Sequence, residues 1–150
     1  MDKDTRLDAM ARWLWQARQR RLPYRNLPDE LRPASIAEAY AAQEAYYRLA
    51  EPALGAVGGA KIATTTKVMQ QLMGITHPCG GAIFSRTIHR SPAKLRAGDF
   101  VNLRIESEIG DLNAGMVIIT GSLIATVSIA AGQQAVFTVD GLGETVMDVL

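Results

Sequence analysis

Two helical stripes followed by a run of short strands predict an α+β chain. Three observations carry that reading. Apolar residues recur at helical spacing over residues 5–19, Ser35-Ile36-Ala37-Glu38 is a capping box, and beyond residue 56 short apolar runs alternate with turn residues. With 150 residues and 48% apolar composition, the chain suits one domain over 1–150, helical over 1–56 and mainly strands over 57–150.

Leu7, Met10, Leu14 and Ala17, widened by Trp13 and Trp15, give a first helix one buried face from Thr5 to about Gln19. Pro23, Pro28 and Pro33 then keep the chain extended or turning. Ser35 and Glu38 open a second helix, Ile36 to about Leu49, on which Tyr40, Tyr46 and Tyr47 read as packing residues. Val57 to Ile62 reads as a strand, after which Thr65 or Thr66 caps a short helix, Lys67 to Met73, that Gly74 stops. Pro78-Cys79-Gly80-Gly81 reads as a flexible turn before a strand from Ala82 to Ile88. Further strands are predicted at Phe100–Ile109, Met116–Thr120, Gln134–Val139 and Glu144–Val149. The short stretch from Asp111 to Gly115 must turn tightly, which predicts a hairpin.

Composition narrows the partners. A net charge of +1 argues against a nucleic-acid surface, and Arg18-Gln19-Arg20-Arg21 is short enough to be a solvated helix end. The apolar stretch from Met116 to Ala131 is broken by Thr120, Gly121, Ser122, Thr126 and Ser128, so no transmembrane segment is expected. Cys79 is alone, and the N-terminus opens on charged residues where a signal peptide needs an apolar core; the cytoplasm is the expected compartment.

The chemistry concentrates in Arg104-Ile105-Glu106-Ser107-Glu108-Ile109. On a strand, Glu106 and Glu108 share one face while Ile105, Ser107 and Ile109 take the other. Paired carboxylates repel unless a positive charge stands between them, and a hard divalent cation with oxygen ligands is the usual remedy. The plain alternative is a solvated strand face. Lys61 and the helix start at Thr65-Thr66 together favour an anion such as a carboxylate, against the alternative of a surface lysine and an ordinary cap. Thr120 and Ser122 read either as turn chemistry or as hydroxyls lining a pocket mouth where a strand ends. His77 and His89 fall in no metal or triad spacing and read as structural or surface residues, and Cys79 as a small buried or linker residue.

Four stretches carry a resemblance. They are Ala39-Tyr40-Ala41-Ala42-Gln43; Gly59-Ala60-Lys61-Ile62 with Gln70-Gln71-Leu72-Met73-Gly74 and Gly81-Ala82-Ile83-Phe84; Arg104-Ile105-Glu106-Ser107-Glu108; and Ile118-Ile119-Thr120-Gly121-Ser122 with Asp140-Gly141-Leu142-Gly143. In their order along nearly the whole chain they resemble the fumarylacetoacetate hydrolase superfamily, in its 2-keto-4-pentenoate hydratase branch. The resemblance implies Mg2+ or Mn2+ held by Glu106, Glu108 and a third carboxylate, with Lys61 contacting the substrate and assisting proton transfer. It further implies that Thr120, with backbone N–H groups at Gly121 and Ser122, binds the substrate carboxylate. Its fold is an α+β chain whose C-terminal part is a mixed, barrel-like sheet.

The family runs on for about a hundred residues between the Glu-x-Glu strand and the Thr-Gly-Ser strand, on the scale of typical domains. Here that middle is missing, and the sheet is expected to be incomplete. The missing middle carries the third metal carboxylate. Asp111 stands too close to the pair to be the usual ligand, though it could coordinate if the loop folded back, and Ser85-Arg86 stands where many hydratases have an acid. The function implied is a hydratase-like lyase of aromatic-compound catabolism that adds water to a 2-hydroxy-2,4-dienoate through a metal-stabilised enolate. The alternative is an inactive, truncated remnant serving as a folded or oligomerising module. A small 2-oxo acid and further copies of the chain, with no nucleic acid or membrane, are the partners expected.

Overall fold

Asp2, not Thr5, starts the first helix. In the computed structural model, which describes residues 2–108, 110–113, 116–119 and 126–150, helix α1 spans Lys3–Gln19. The Asp2 carboxylate caps it by accepting from the Thr5 N–H and the Thr5 hydroxyl, at 3.0 and 2.7 Å. The chain divides into two compact units, 1–55 and 56–150.

In the first unit, α1 packs on α2, Ile36–Leu54. Met10 and Ala11 of α1 and Ala42, Ala45 and Ala50 of α2 are buried, and the small side chains allow close approach of the two helices. Trp15 meets Tyr46 edge to face at 6.0 Å, and Tyr46 meets Tyr47 at 6.2 Å. Helix α2 runs five residues past the expected end at Leu49. Pro52 lies in its last turn, where it forfeits a single intrahelical bond, and Gly55, at φ 82°, ends the helix. Ser35 Oγ accepts from the Glu38 N–H at 3.1 Å, but Glu38 reaches one residue further back than a capping box requires, to the Ala34 N–H at 2.6 Å. Its other oxygen pairs with Arg6, which also donates to the Arg32 carbonyl.

The second unit is built on a four-stranded mixed sheet of order β2-β1-β6-β5. Strand β1, Val57–Ala63, pairs antiparallel with β2, Cys79–Phe84, and parallel with β6, Met116–Ile119. Strand β5, Gly110–Asn113, closes the sheet as an antiparallel hairpin with β6. The predicted hairpin is present, with 110–113 as its first strand rather than part of its turn. Between β1 and β2 lies α3, Lys67–Met73, capped by Thr66 and ended by Gly74 in the left-handed region at φ 68°. Buried Gln70 donates to the Thr64 carbonyl at 3.0 Å and ties α3 to the end of β1.

A second sheet has the order β3-β9-β8, from β3 at Ala93–Leu95, β8 at Gln134–Val139 and β9 at Gly143–Val149. Asp140-Gly141 turns β8 into β9, with Gly141 and Gly143 at φ 79° and 105°. A third, two-stranded sheet pairs β4, Arg104–Ile105, with β7, Val127–Ser128. Among the described residues the strands form these three sheets and no closed barrel, so the α+β order holds and the sheet is divided.

Two strand boundaries depart from expectation. Cys79, Gly80 and Gly81 are strand rather than turn, because β1 offers them a continuous ladder from Ala63 to Lys61, and the strand stops at Phe84 in a 3-10 turn. The expected strand over 100–109 is reduced to Arg104–Ile105, because its partner β7 is only two residues long. Among the described residues no helix is long and apolar enough to cross a membrane.

Candidate functional site

Lys61 sits on the central strand of the four-stranded sheet, held on one side by Gly81 of β2 and on the other by Ile119 of β6. Gly59 lets β1 and β6 approach: a Cβ there would stand 2.2 Å from the Val117 carbonyl oxygen. The backbone under Lys61 is therefore fixed on both edges.

Glu106 and Glu108 follow β4 in non-strand backbone, a correction to the expectation that strand alternation would align them. They converge nonetheless. Lys61 Nζ lies 3.0 Å from Glu108 Oε1 and 3.6 Å from Glu106 Oε2, while Ser107 between them is buried. The two carboxylates differ in environment: the Glu106 side chain is 40% exposed and that of Glu108 only 8%. Thr126, just before β7, donates its hydroxyl to Glu106 Oε1 at 2.7 Å. That bond first, then the Lys61 ammonium and a hydrogen bond with Glu108, hold the Glu106 carboxyl below its usual range against the opposing cost of partial burial. Glu108 Oε2 is buried and has no hydrogen-bond partner among the described residues.

These groups open on a cleft of about 940 Å³. Phe100 and Ile119 contribute apolar wall, and Arg104, His89 and Asn102 contribute polar groups. Thr126 and His89 were not legible as site residues: no motif or spacing links them to Glu106, and His89 reads from sequence as a structural or surface residue; Arg104 stands in the Glu-x-Glu stretch itself but carries no role there from sequence. His77, by contrast, places Nδ1 2.9 Å from the neighbouring Pro78 carbonyl and is half-buried. Cys79 is a half-buried free thiol in β2, opposite Ala63. Lys61 is engaged by the glutamates rather than standing as a free anion-binding lysine beside α3. Thr120, Gly121 and Ser122, the expected substrate-binding residues, lie outside the described residues.

A divalent ion suits this donor set in one respect above all. The buried Oε2 of Glu108 is a desolvated carboxylate oxygen with no hydrogen-bond partner among the described residues, and Glu106 supplies a second carboxylate at the same cleft. Among the residues described, no group of three or more His, Cys, Asp or Glu forms a ready-made cage. The described residues thus offer two carboxylates, and the remaining oxygens of a hard cation's shell would come from elsewhere, water or a ligand included.

Fold and cleft together define an α+β protein with a lysine on an inner strand of a mixed sheet, set between two carboxylates. No protein-family model and no curated protein sequence matches the chain. Solved structures do. The chain superimposes on 4-oxalocrotonate decarboxylase from Pseudomonas putida G7 complexed with magnesium and adipate, with a TM-score of 0.78 at 11% identity over 100% of this chain and 99% of that one. The same enzyme complexed with calcium and acetate gives 0.77 at 12% identity with the same coverage. At that identity the likeness is one of fold.

Proposed function

We propose that this chain is a divalent-metal-dependent lyase of the fumarylacetoacetate hydrolase superfamily, acting in the cytoplasm on a small 2-oxo acid from aromatic-compound breakdown. The specific reaction proposed is addition of water to a 2-hydroxy-2,4-dienoate. The observation that carries it is the convergence of Lys61, Glu106 and Glu108 on one cleft, with Glu108 Oε2 buried and unsatisfied among the described residues. The fold shared with a decarboxylase whose structures hold magnesium or calcium supports the same reading.

In this reading Glu106 and Glu108 hold Mg2+ or Mn2+. A bound divalent ion supplies positive charge against the oxyanion that develops on a 2-oxo acid as its enolate forms. The protein's own groups do the rest. Lys61, 43% exposed toward the cleft, carries protons at Nζ within reach of a bound acid and keeps its orientation through Glu108. Thr126 keeps Glu106 ionised and turned toward Lys61. Phe100 and Ile119 strip water from the carbon chain of the substrate. Thr120, with the N–H groups of Gly121 and Ser122, is proposed to take the substrate carboxylate. Association into homo-oligomers completes the proposal.

The second reading is an inactive, truncated remnant that persists as a folded module. It is favoured by one observation: the Lys61 ammonium already pairs with both carboxylates and offsets one of their two charges, and no third acid joins them among the described residues. Calorimetric titration with Mn2+ in the presence of oxalate, a mimic of the pyruvate enolate, separates the two. Oxalate-dependent binding that vanishes in Glu106→Gln and in Glu108→Gln supports the lyase. No binding to the parent chain leaves the remnant.

A further inference from the structure

The last turns of α1 and the chain that folds back on them enclose a second hollow, of about 300 Å³, built from residues of the first unit alone. One wall is a single helix face, with Trp13, Gln16, Ala17 and Arg20 at spacings of three and four. The other is Leu22, Pro23 and Arg25. The fold-back is held by the Leu22 N–H donating to the Ala17 carbonyl at 3.0 Å and by Arg21 in the left-handed region at φ 50°.

The charged residues that line this hollow are both basic, and the stretch of chain that supplies them is one-sided in charge. No acidic residue occurs between Asp8 and Asp29, whereas Arg12, Arg18, Arg20, Arg21 and Arg25 all fall in that span. Arg12 pairs with Asp8 at 3.6 Å. Arg20 and Arg25, the two that line the hollow, make no ion pair and no side-chain hydrogen bond among the described residues. Compensation of the negative helix end explains basic side chains in and just after its last turn. It does not explain a second guanidinium beyond the fold-back or an indole lining the same space. Trp15 packs on Tyr46, but Trp13 has no aromatic partner among the described residues.

We propose that this hollow binds a small planar aromatic carboxylate. Its ring lies against Trp13, Leu22 and Pro23, and its carboxylate is shared by Arg20 and Arg25. A flat apolar body with one anionic end matches an indole and two aliphatic walls beside two unpaired guanidinium groups, since guanidinium recognises carboxylate by parallel N–H bonds and indole by stacking. The volume sits at the small end of ligand sites, which limits the occupant to about one ring and its carboxylate.

Titration of the full chain with benzoate, read from the Trp13 indole N–H resonance, tests this. The Trp13 peak is assigned by its loss in Trp13→Phe, and Trp15 serves as internal reference. Saturable shifts at Trp13 that exceed those at Trp15, weakened about tenfold in Arg20→Gln and in Arg25→Gln but unchanged in Arg12→Gln, are expected. Circular dichroism confirms that the helices persist in each variant. An unsaturable response, or unchanged affinity in both the Arg20 and Arg25 variants, overturns the site. An equal response to inorganic phosphate overturns the aromatic class and leaves a general anion patch.

Discussion

Lys61 Nζ stands 3.0 Å from Glu108 Oε1 and 3.6 Å from Glu106 Oε2, so a single ammonium serves two carboxylates two positions apart in the chain. Glu108 is the dependent partner, because its side chain is 8% exposed and its second oxygen has no hydrogen-bond partner among the described residues. Removing Lys61 leaves a buried negative charge uncompensated. Lys61→Met is expected to lower stability by about 2 kcal/mol, below the ~3–5 kcal/mol of a fully buried pair because Lys61 is 43% exposed. Urea denaturation checks this, and Mn2+ should restore part of the loss.

Glu106 gives a pH signature of defined sign. Its carboxyl is held below the ordinary range of about 4.3, so the folded state binds its proton less readily than the unfolded chain. Its contribution to stability is fully present above the unfolded value and is lost as pH falls through the depressed folded value. Thr126→Val removes the leading cause and should move the Glu106 titration upward toward the ordinary range, read by carboxyl carbon resonances.

The sheet under Lys61 depends on a missing side chain. Gly59→Ala would set a Cβ 2.2 Å from the Val117 carbonyl oxygen and 3.0 Å from its carbon, both backbone atoms that cannot swing aside. A cost of about 2–3 kcal/mol is expected, with loss of the β1–β6 pairing in hydrogen exchange. Gly98→Ala, where nothing lies within 4 Å, is the control and should be near neutral.

In the first unit, Glu38 joins α2 to α1. It accepts from the Ala34 N–H with one oxygen and from Arg6 with the other, and both side chains are largely buried. Arg6→Ala is expected to cost about 1–2 kcal/mol, more than a surface pair, because it also frees the Arg32 carbonyl. A lowered midpoint with an unchanged denaturant slope would show that the contact is lost without a change in the unfolded state.

The parts legible in the sequence are those closed within a few residues. Ser35 and Thr66 as caps and Gly74 as a stop are contacts three or four positions long, and they stand in the structure as read. The end of α2 was misplaced because Pro52, a breaker in general, is tolerated in a last turn. The start of β2 was misplaced because a ladder to β1 outweighs the turn tendency of Gly80-Gly81. Strands β3, β4 and β7 are two or three residues long, too short for periodicity to mark, and their existence rests on distant partners.

The sequence by itself determined the α+β order, the caps, and the two-position spacing of Glu106 and Glu108, because each follows from residue type and short spacing. Only the tertiary structure decided that Lys61 stands between the two carboxylates, that Thr126 holds Glu106, that Glu108 Oε2 is left unsatisfied, and that Arg104 and His89 share the cleft. These contacts join segments 20 to 47 residues apart. No local pattern encodes them, since they exist only once β1 is clasped by β2 and β6 and the β4–β7 pairing stops at Ile105, freeing the next three residues to turn both carboxylates onto one ammonium.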